Sequence, residues 1–284
     1  MPVVFVLIWS TGFIVARYGM PHAPPLKFLA VRYALSLLCF LPWIALARVA
    51  WPATPRQWLH LAVTGVLMHA GYLGGVWAAV KAGMGSGLVA LIVGVQPVLT
   101  ALWMSAMGGQ VARRQWVGLA LGFAGLALVV SRKFGLGGEA HPQSLALAVM
   151  ALFSITTGTL YQKRFVAPCD VRSASAVQLG AALLATLPLA LMESEGMRWN
   201  TELAGAMAWS VLALTLGGSS LLYLLIQRGA ATSVTSLLYL VPPCTALMAW
   251  LLFGEPVTGI TIAGTALTAL GVSLVVRSAA PKPG

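Results

Sequence analysis

The sequence predicts an all-α integral membrane protein: ten transmembrane helices arranged as two inverted five-helix repeats around a central cavity. Three observations carry that reading. Charged residues are 8% of the chain and hydrophobic ones 59%, against roughly 25% charged in a soluble domain. The apolar runs are long and continuous rather than alternating. A shift of 146 residues lays the second half of the chain over the first.

So few charges cannot cover a globular surface, and the remaining solvent is lipid. A spanning helix needs about 20 mostly apolar residues. In hydrocarbon the backbone must satisfy its own hydrogen bonds, which leaves helices or a closed barrel. The absence of ten-residue alternation excludes the barrel. Thirty glycines suit close helix contact in lipid. Spans are expected at 2–19, 27–47, 58–80, 84–107, 114–131, 142–165, 173–192, 202–227, 232–253 and 257–276. The first run has neither a basic leader nor a small-residue cleavage site, so it reads as an intrinsic helix rather than a signal peptide. Pro21, Pro24 and Pro25 mark the first loop, Pro52 and Pro55 the second, and Gly83 to Gly87 a tight turn. The formal charge is +11. The basic residues fall between apolar runs, as cationic flanks of membrane helices do, which argues against nucleic acid as a partner. Cys39, Cys169 and Cys244 are scattered and odd in number, so neither a metal site nor a disulfide framework is expected.

The 146-residue shift brings Gly12 onto Gly158, Pro42 onto Pro188, Gly71 onto Gly217 and Pro97 onto Pro243. Gly108, Gly118 and Gly125 fall on Gly254, Gly264 and Gly271. These residue types fix backbone shape, so the match implies duplication, with repeats at 1–138 and 139–284. Five spans is an odd number, and the second copy is therefore inverted. Inverted repeats are a transporter signature, with the substrate site at their interface beside interrupted helices. With the N-terminus inside, 10 Lys and Arg lie on inner loops and ends. Seven lie outside: Arg17, Lys27, Arg32, Lys81, Arg132, Lys133 and Arg198. The bias favours both termini in the cytoplasm.

Glu139, Asp170, Glu193, Glu195, Glu202 and Glu255 all fall in loops or at span ends. A proton- or cation-coupled site normally needs a carboxylate in the membrane, so uniport-like transport is favoured. His69 reads as the one ionisable side chain well inside a span, with Tyr72 three residues on and on the same helical face. His69 is either a satisfied packing residue or a pathway residue that bonds substrate or relays a proton. Ser154, Thr157 and Tyr161 form a stripe on span six. Ser220, Tyr223 and Gln227 do so on span eight, and Thr235, Ser236 and Tyr239 on span nine. Such stripes serve either as helix–helix glue or as site lining. Trp9 is deep in span one, whereas Trp43, Trp51, Trp58, Trp116 and Trp199 lie near ends and read as belt residues. Pro97 and Pro243 sit mid-span at equivalent positions, where each removes a backbone donor and kinks its helix. Gln96 precedes the first. Ser86 is expected to cap span four, and its counterpart Thr232 span nine.

Candidate substrate-binding residues are therefore Trp9, His69, Tyr72, Gln96, Ser154, Tyr161, Tyr223 and Tyr239, with Pro97 and Pro243 as hinges. No catalytic residue, metal or cofactor is expected. The partners are a small-molecule substrate and membrane lipid, and a monomer is compatible with the pattern.

Leu240-Val241-Pro242-Pro243, Phe253-Gly254-Glu255-Pro256, Gly264 and Gly271, with Gln96-Pro97, Gly108-Gly109, Gly118 and Gly125 in the first half, resemble the EamA-type branch of the drug/metabolite transporter superfamily over the whole length. Gly109 stands where the family's second glutamate is expected. The resemblance implies a bacterial inner-membrane exporter of amino acids or related metabolites. His69, Tyr72 and the deep aromatics resemble the YddG-type exporters of aromatic and other neutral amino acids. The rivals are a sugar, nucleotide-sugar or drug transporter of the same superfamily, a lipid-translocating protein, and a membrane enzyme. The first would want deep Lys or Arg for phosphates, and the last a nucleophile–base pair or metal cluster that the spans lack.

Overall fold

The computed structural model describes residues 2–106, 113–133, 140–218, 221 and 240–279. The helices in them are α1 (Pro2–Gly19), α2 (Pro25–Leu46), α3 (Pro55–Gly65), α4 (Tyr72–Lys81), α5 (Ser86–Val93), α6 (Gln96–Ala106), α7 (Arg113–Lys133), α8 (Pro142–Phe165), α9 (Val171–Met192), α10 (Thr201–Trp209), α11 (Val241–Phe253) and α12 (Gly259–Ala279). They fall on all ten predicted spans, and the chain is a ten-helix membrane protein. Five stretches are long and apolar enough to cross a bilayer alone: Pro25–Leu46, Pro55–Lys81, Arg113–Ser131, Pro142–Phe165 and Val171–Met192. The shorter apolar helices include Val4–Gly19, Ser86–Thr100 and Val241–Phe253.

Two spans contain a turn wider than an α-helix. Val66–Gly71 joins α3 to α4 as a π turn, and Ser210–Gly218 continues α10 as another. A π turn inserts an extra residue into the helical ladder and rotates the faces beyond it. The single span expected at 84–107 is two helices. The α-helical ladder of α5 stops at Gly94, and α6 restarts at Gln96 with Pro97 in its first turn. The break precedes the proline because a proline lacks the N–H that an interior position would donate, while a first turn does not use it. Pro243 likewise sits in the first turn of α11.

Helices of the two halves interleave. α2 packs on α9, α7 on α12, α5 on α11, α4 on α8, and α1 on α10 and α11. At the α7–α12 crossing the backbones meet directly. A Cβ on Gly125 would strike the Gly264 carbonyl, and one on Gly271 the Gly118 carbonyl. All four are among the glycines that the sequence shift aligns. The interior beneath these crossings is apolar, with Phe28 stacked on Trp77 at 4.3 Å. Trp43, Trp51, Trp58, Trp116 and Trp199 are all exposed.

The cap of α5 differs from the expectation. Gly85, not Ser86, holds the N-cap position, and Ser86 is the first helical residue. The cap comes from the other half of the chain. Glu255 accepts hydrogen bonds from the Ser86 N–H (3.0 Å), the Ser86 hydroxyl (3.0 Å) and the Gly87 N–H (3.4 Å). A carboxylate at a helix N-terminus satisfies orphan donors and complements the dipole. In sequence Glu255 lies next to the helix that follows it, α12. Gly254, left-handed at φ 63°, ends α11 and turns the chain so that Glu255 reaches α5 instead; glycine takes that conformation without penalty. The counterpart pair, Gly109 and Thr232, lies outside the described residues.

Candidate functional site

The two π turns sit near the middle of spans three and eight, and polar side chains from the other half meet each of them. Thr215, in the second turn, donates its hydroxyl to the Ser210 carbonyl five residues back at 2.9 Å. Its oxygen accepts from Arg32 Nε at 3.2 Å and Nη2 at 3.1 Å. His69, in the first turn, has its carbonyl bonded by the Tyr33 hydroxyl at 2.9 Å. Its ring meets Tyr33 edge-on at 6.1 Å and stands beside the Gln178 side chain.

Arg32 corrects the sequence reading, which counted it among the outer flanking cations and took His69 as the only deep ionisable group. It is the eighth residue of α2, about 10 Å along the helix axis from its start, and only 6% exposed. Long apolar flanks hid it, since a lone arginine seven residues into a span is indistinguishable in sequence from one that snorkels outward.

The 146-residue shift maps Arg32 onto Gln178 and His69 onto Thr215. The Arg32–Thr215 and Gln178–His69 contacts are thus counterparts, each joining the second span of one half to the π turn of the other. Ser154 lies against Gly71, and its counterpart Ile8 lies against Gly218, one residue beyond the counterpart of Gly71.

The expected site residues divide. Trp9 is half-buried, packs on Phe5 at 5.3 Å, and brings its ring to the space beside Gly218. His69 and Ser154 flank the first π turn. Tyr72 follows it directly and is buried in the core at 7% exposure. Gln96, at the break in span four, donates to the Thr159 hydroxyl at 3.0 Å. That break touches the start of α11: a Cβ on Gly94 would meet Pro242 Cγ at 2.6 Å. Tyr161 stands apart. Its hydroxyl pairs with His60 Nδ1 at 2.8 Å and its ring packs on Phe165 at 4.7 Å. His60 is nine residues before His69, about 13 Å along the helix, so Tyr161 belongs to one end of the bundle. Tyr223 and Tyr239 lie outside the described residues, as do Ser220, Gln227, Thr232, Thr235 and Ser236. Arg32, Thr215 and Gln178 were missed; a search for polar residues that the shift lays on other polar residues would have found them.

The model of the EamA-like transporter family matches the chain twice, over residues 2–131 and 143–277. The chain belongs to the EamA-like transporter family. Among its relatives, the uncharacterised inner membrane transporter YedA of Escherichia coli K12 is 26% identical over 272 residues, 95% of this chain and 87% of that one. A probable amino-acid metabolite efflux pump of Salmonella typhimurium is 26% identical over 279 residues, 94% and 90% of the two chains. A solved crystal structure superposes with a TM-score of 0.66 at 18% identity, over 98% of this chain and 96% of that one, which shows a shared fold. This EamA-like chain is thus a membrane transporter, and its named relatives are transporters rather than enzymes.

Proposed function

We propose that this transporter exports small neutral metabolites, foremost amino acids, across a bacterial inner membrane by alternating access and without ion coupling. The observation that carries the proposal is the pair of counterpart polar contacts, Arg32–Thr215 and Gln178–His69, at mid-span π turns contributed by opposite halves. Irregular backbone at membrane depth is tolerated where it is buried in protein or lines a cavity, and inverted-repeat carriers place their sites there. The printed name of the Salmonella relative supports the substrate class. The repeats divide at 138/139, with both termini cytoplasmic. Trp9, His69, Tyr72, Gln96 and Ser154 line the pathway together with Tyr223 and Tyr239, Tyr161 stands at its mouth, and Pro97 and Pro243 are the hinges.

The test is uptake of labelled neutral amino acids by purified protein in liposomes, with and without a pH gradient. Transport indifferent to the gradient, and reduced about tenfold or more in Trp9→Ala and His69→Ala through lost contacts and hydrogen bonds, is the expected result. Gradient-driven transport would replace uniport with proton coupling. No flux from correctly inserted protein would sink the substrate class.

A further inference from the structure

Arg32 places a guanidinium in the membrane interior, where an unpaired charge costs several kcal/mol. The described residues give it only one partner, the neutral Thr215 hydroxyl, which takes both Nε and Nη2. Nη1 bonds no described residue. No aromatic face serves it either, since the cation–π contacts among the described residues belong to Arg164 and Arg172.

Five of the chain's six carboxylates are engaged elsewhere. Glu255 caps α5. Glu193 accepts from the Leu26 and Lys27 N–H groups. Glu195 pairs with Lys81, Glu202 with His22, and Asp170 with Arg172. The sixth, Glu139, falls in the connection between spans five and six and outside the described residues.

We infer that the counter-ion of Arg32 is the transported molecule, and that Arg32, held by Thr215, is the residue that recognises a carboxylate on the substrate. The inference rests on the export reading above and narrows its substrate class to carboxylate-bearing metabolites, α-amino acids included. A guanidinium matches a carboxylate in plane and spacing, with two parallel N–H bonds. Fixing Nε and one N–H of Nη2 on one hydroxyl orients the plane and leaves the Nη1/Nη2 end, one N–H from each nitrogen, as the free donor pair. The counterpart position holds Gln178, neutral and facing His69, so a single positive pole marks the two-fold arrangement and gives the substrate one orientation. A phosphate dianion would call for more than one deep cation. Lys81 instead pairs at a span end with Glu195, and Lys163 is exposed near the end of α8.

The experiment is inhibition of labelled phenylalanine uptake in liposomes by 3-phenylpropionate, which keeps the carboxylate, and by phenethylamine and phenylalaninamide, which lack it. The wild-type protein is expected to be inhibited by the carboxylate about 10–100-fold more strongly than by the other two, as the loss of a charge-assisted hydrogen bond requires. Arg32→Gln should abolish that preference while still binding phenylalaninamide. Thr215→Val keeps the charge and decides the matter if Arg32→Gln does not insert: it should raise the KM for phenylalanine several-fold with the preference retained. Equal inhibition by all three compounds in wild type, or a preference that survives Arg32→Gln, overturns the assignment.

If no amino acid is carried at all, the export reading fails on its own. Arg32 is then judged by the melting temperature of the purified protein in benzoate against chloride and inorganic phosphate at equal ionic strength. Stabilisation by benzoate alone, lost in Arg32→Gln, supports the carboxylate site; equal shifts in all three, or none, overturn it.

Discussion

At the scale of single residues, one polar side chain is placed where backbone groups would otherwise go unpaired. Glu255 shows the energetics most plainly. It is 8% exposed and takes three donors from the start of α5, so its removal strands buried N–H groups as well as removing a bond. Hydrogen bonds to charged acceptors contribute about 1.5–3 kcal/mol each way of counting. Glu255→Gln keeps size and one acceptor oxygen but loses the charge. It should lower the thermal unfolding midpoint of the detergent-purified protein, by about 1–2 kcal/mol in stability. Ser86→Ala removes one of the three donors and leaves the two N–H bonds, so its effect should be the smaller. A midpoint unchanged in Glu255→Gln would remove the cap from any role in stability. Glu255 itself was visible in the sequence as part of a Gly-Glu turn, but its partner was not. The sequence places it next to the helix that follows it, and only the left-handed turn at Gly254 sends it across to the other half.

At the scale of helices, legibility follows the kind of signal. The existence of ten spans came from apolar length, which the bilayer enforces. The α7–α12 crossing was foreshadowed by glycines that the 146-residue shift aligns, because small residues are what allow backbones to touch. The π turns at Val66–Gly71 and Ser210–Gly218 left no such mark, since one extra residue in an apolar helix changes no residue type. They rotate the face beyond them, so residue spacing alone does not fix how Tyr72 sits relative to His69: Tyr72 is buried in the core and His69 is half-buried. The crossing also gives a sharp test. Gly125→Val drives a side chain into the Gly264 carbonyl and Thr268, an overpacking that costs about 1–3 kcal/mol. Gly180→Ala, where an added Cβ meets nothing within 4 Å, should be neutral or slightly stabilising, because alanine favours the helix. Thermal unfolding of the two variants side by side separates contact at the crossing from a general intolerance of larger residues.

At the scale of the whole molecule, the two ends of the bundle are held differently. At one end the loop 193–200 of the second half is bound to the first half by charge. Lys27 Nζ donates to the Glu193 and Glu195 carbonyls at 2.7 and 2.6 Å, Lys81 pairs with Glu195 at 2.8 Å, and His22 with Glu202 at 2.7 Å. At the other end the hydrogen bonds between the halves are neutral, beside Arg172 over the Trp43 ring at 5.5 Å: Ser173 donates to the Ala50 carbonyl at 2.9 Å, and Gln57 reaches the Ala167 carbonyl at 3.4 Å. The shift maps Lys27 onto Ser173, so the same structural position carries charge at one end and a hydroxyl at the other. In the proposed topology the charged end faces out. Alternating access requires each end to part in turn, and salt screens exposed charges while barely affecting neutral bonds. Hydrogen bonding from Lys81 holds the Glu195 carboxyl below its ordinary range. A depressed pKa contributes stability that is present above the unfolded value and lost as pH falls through the folded one. Acid therefore loosens the outer end, beginning as pH falls through the ordinary glutamate range and not near neutrality. The measurement is labelling of a single cysteine, placed at Gly196 in a protein whose three native cysteines are replaced, by a membrane-impermeant thiol reagent at several salt concentrations. Labelling should rise with salt and already be high at low salt in Glu195→Gln, whereas a cysteine at Ala167 should label at a rate that salt does not change. Equal salt dependence at both ends would mean that charge does not bias which end opens.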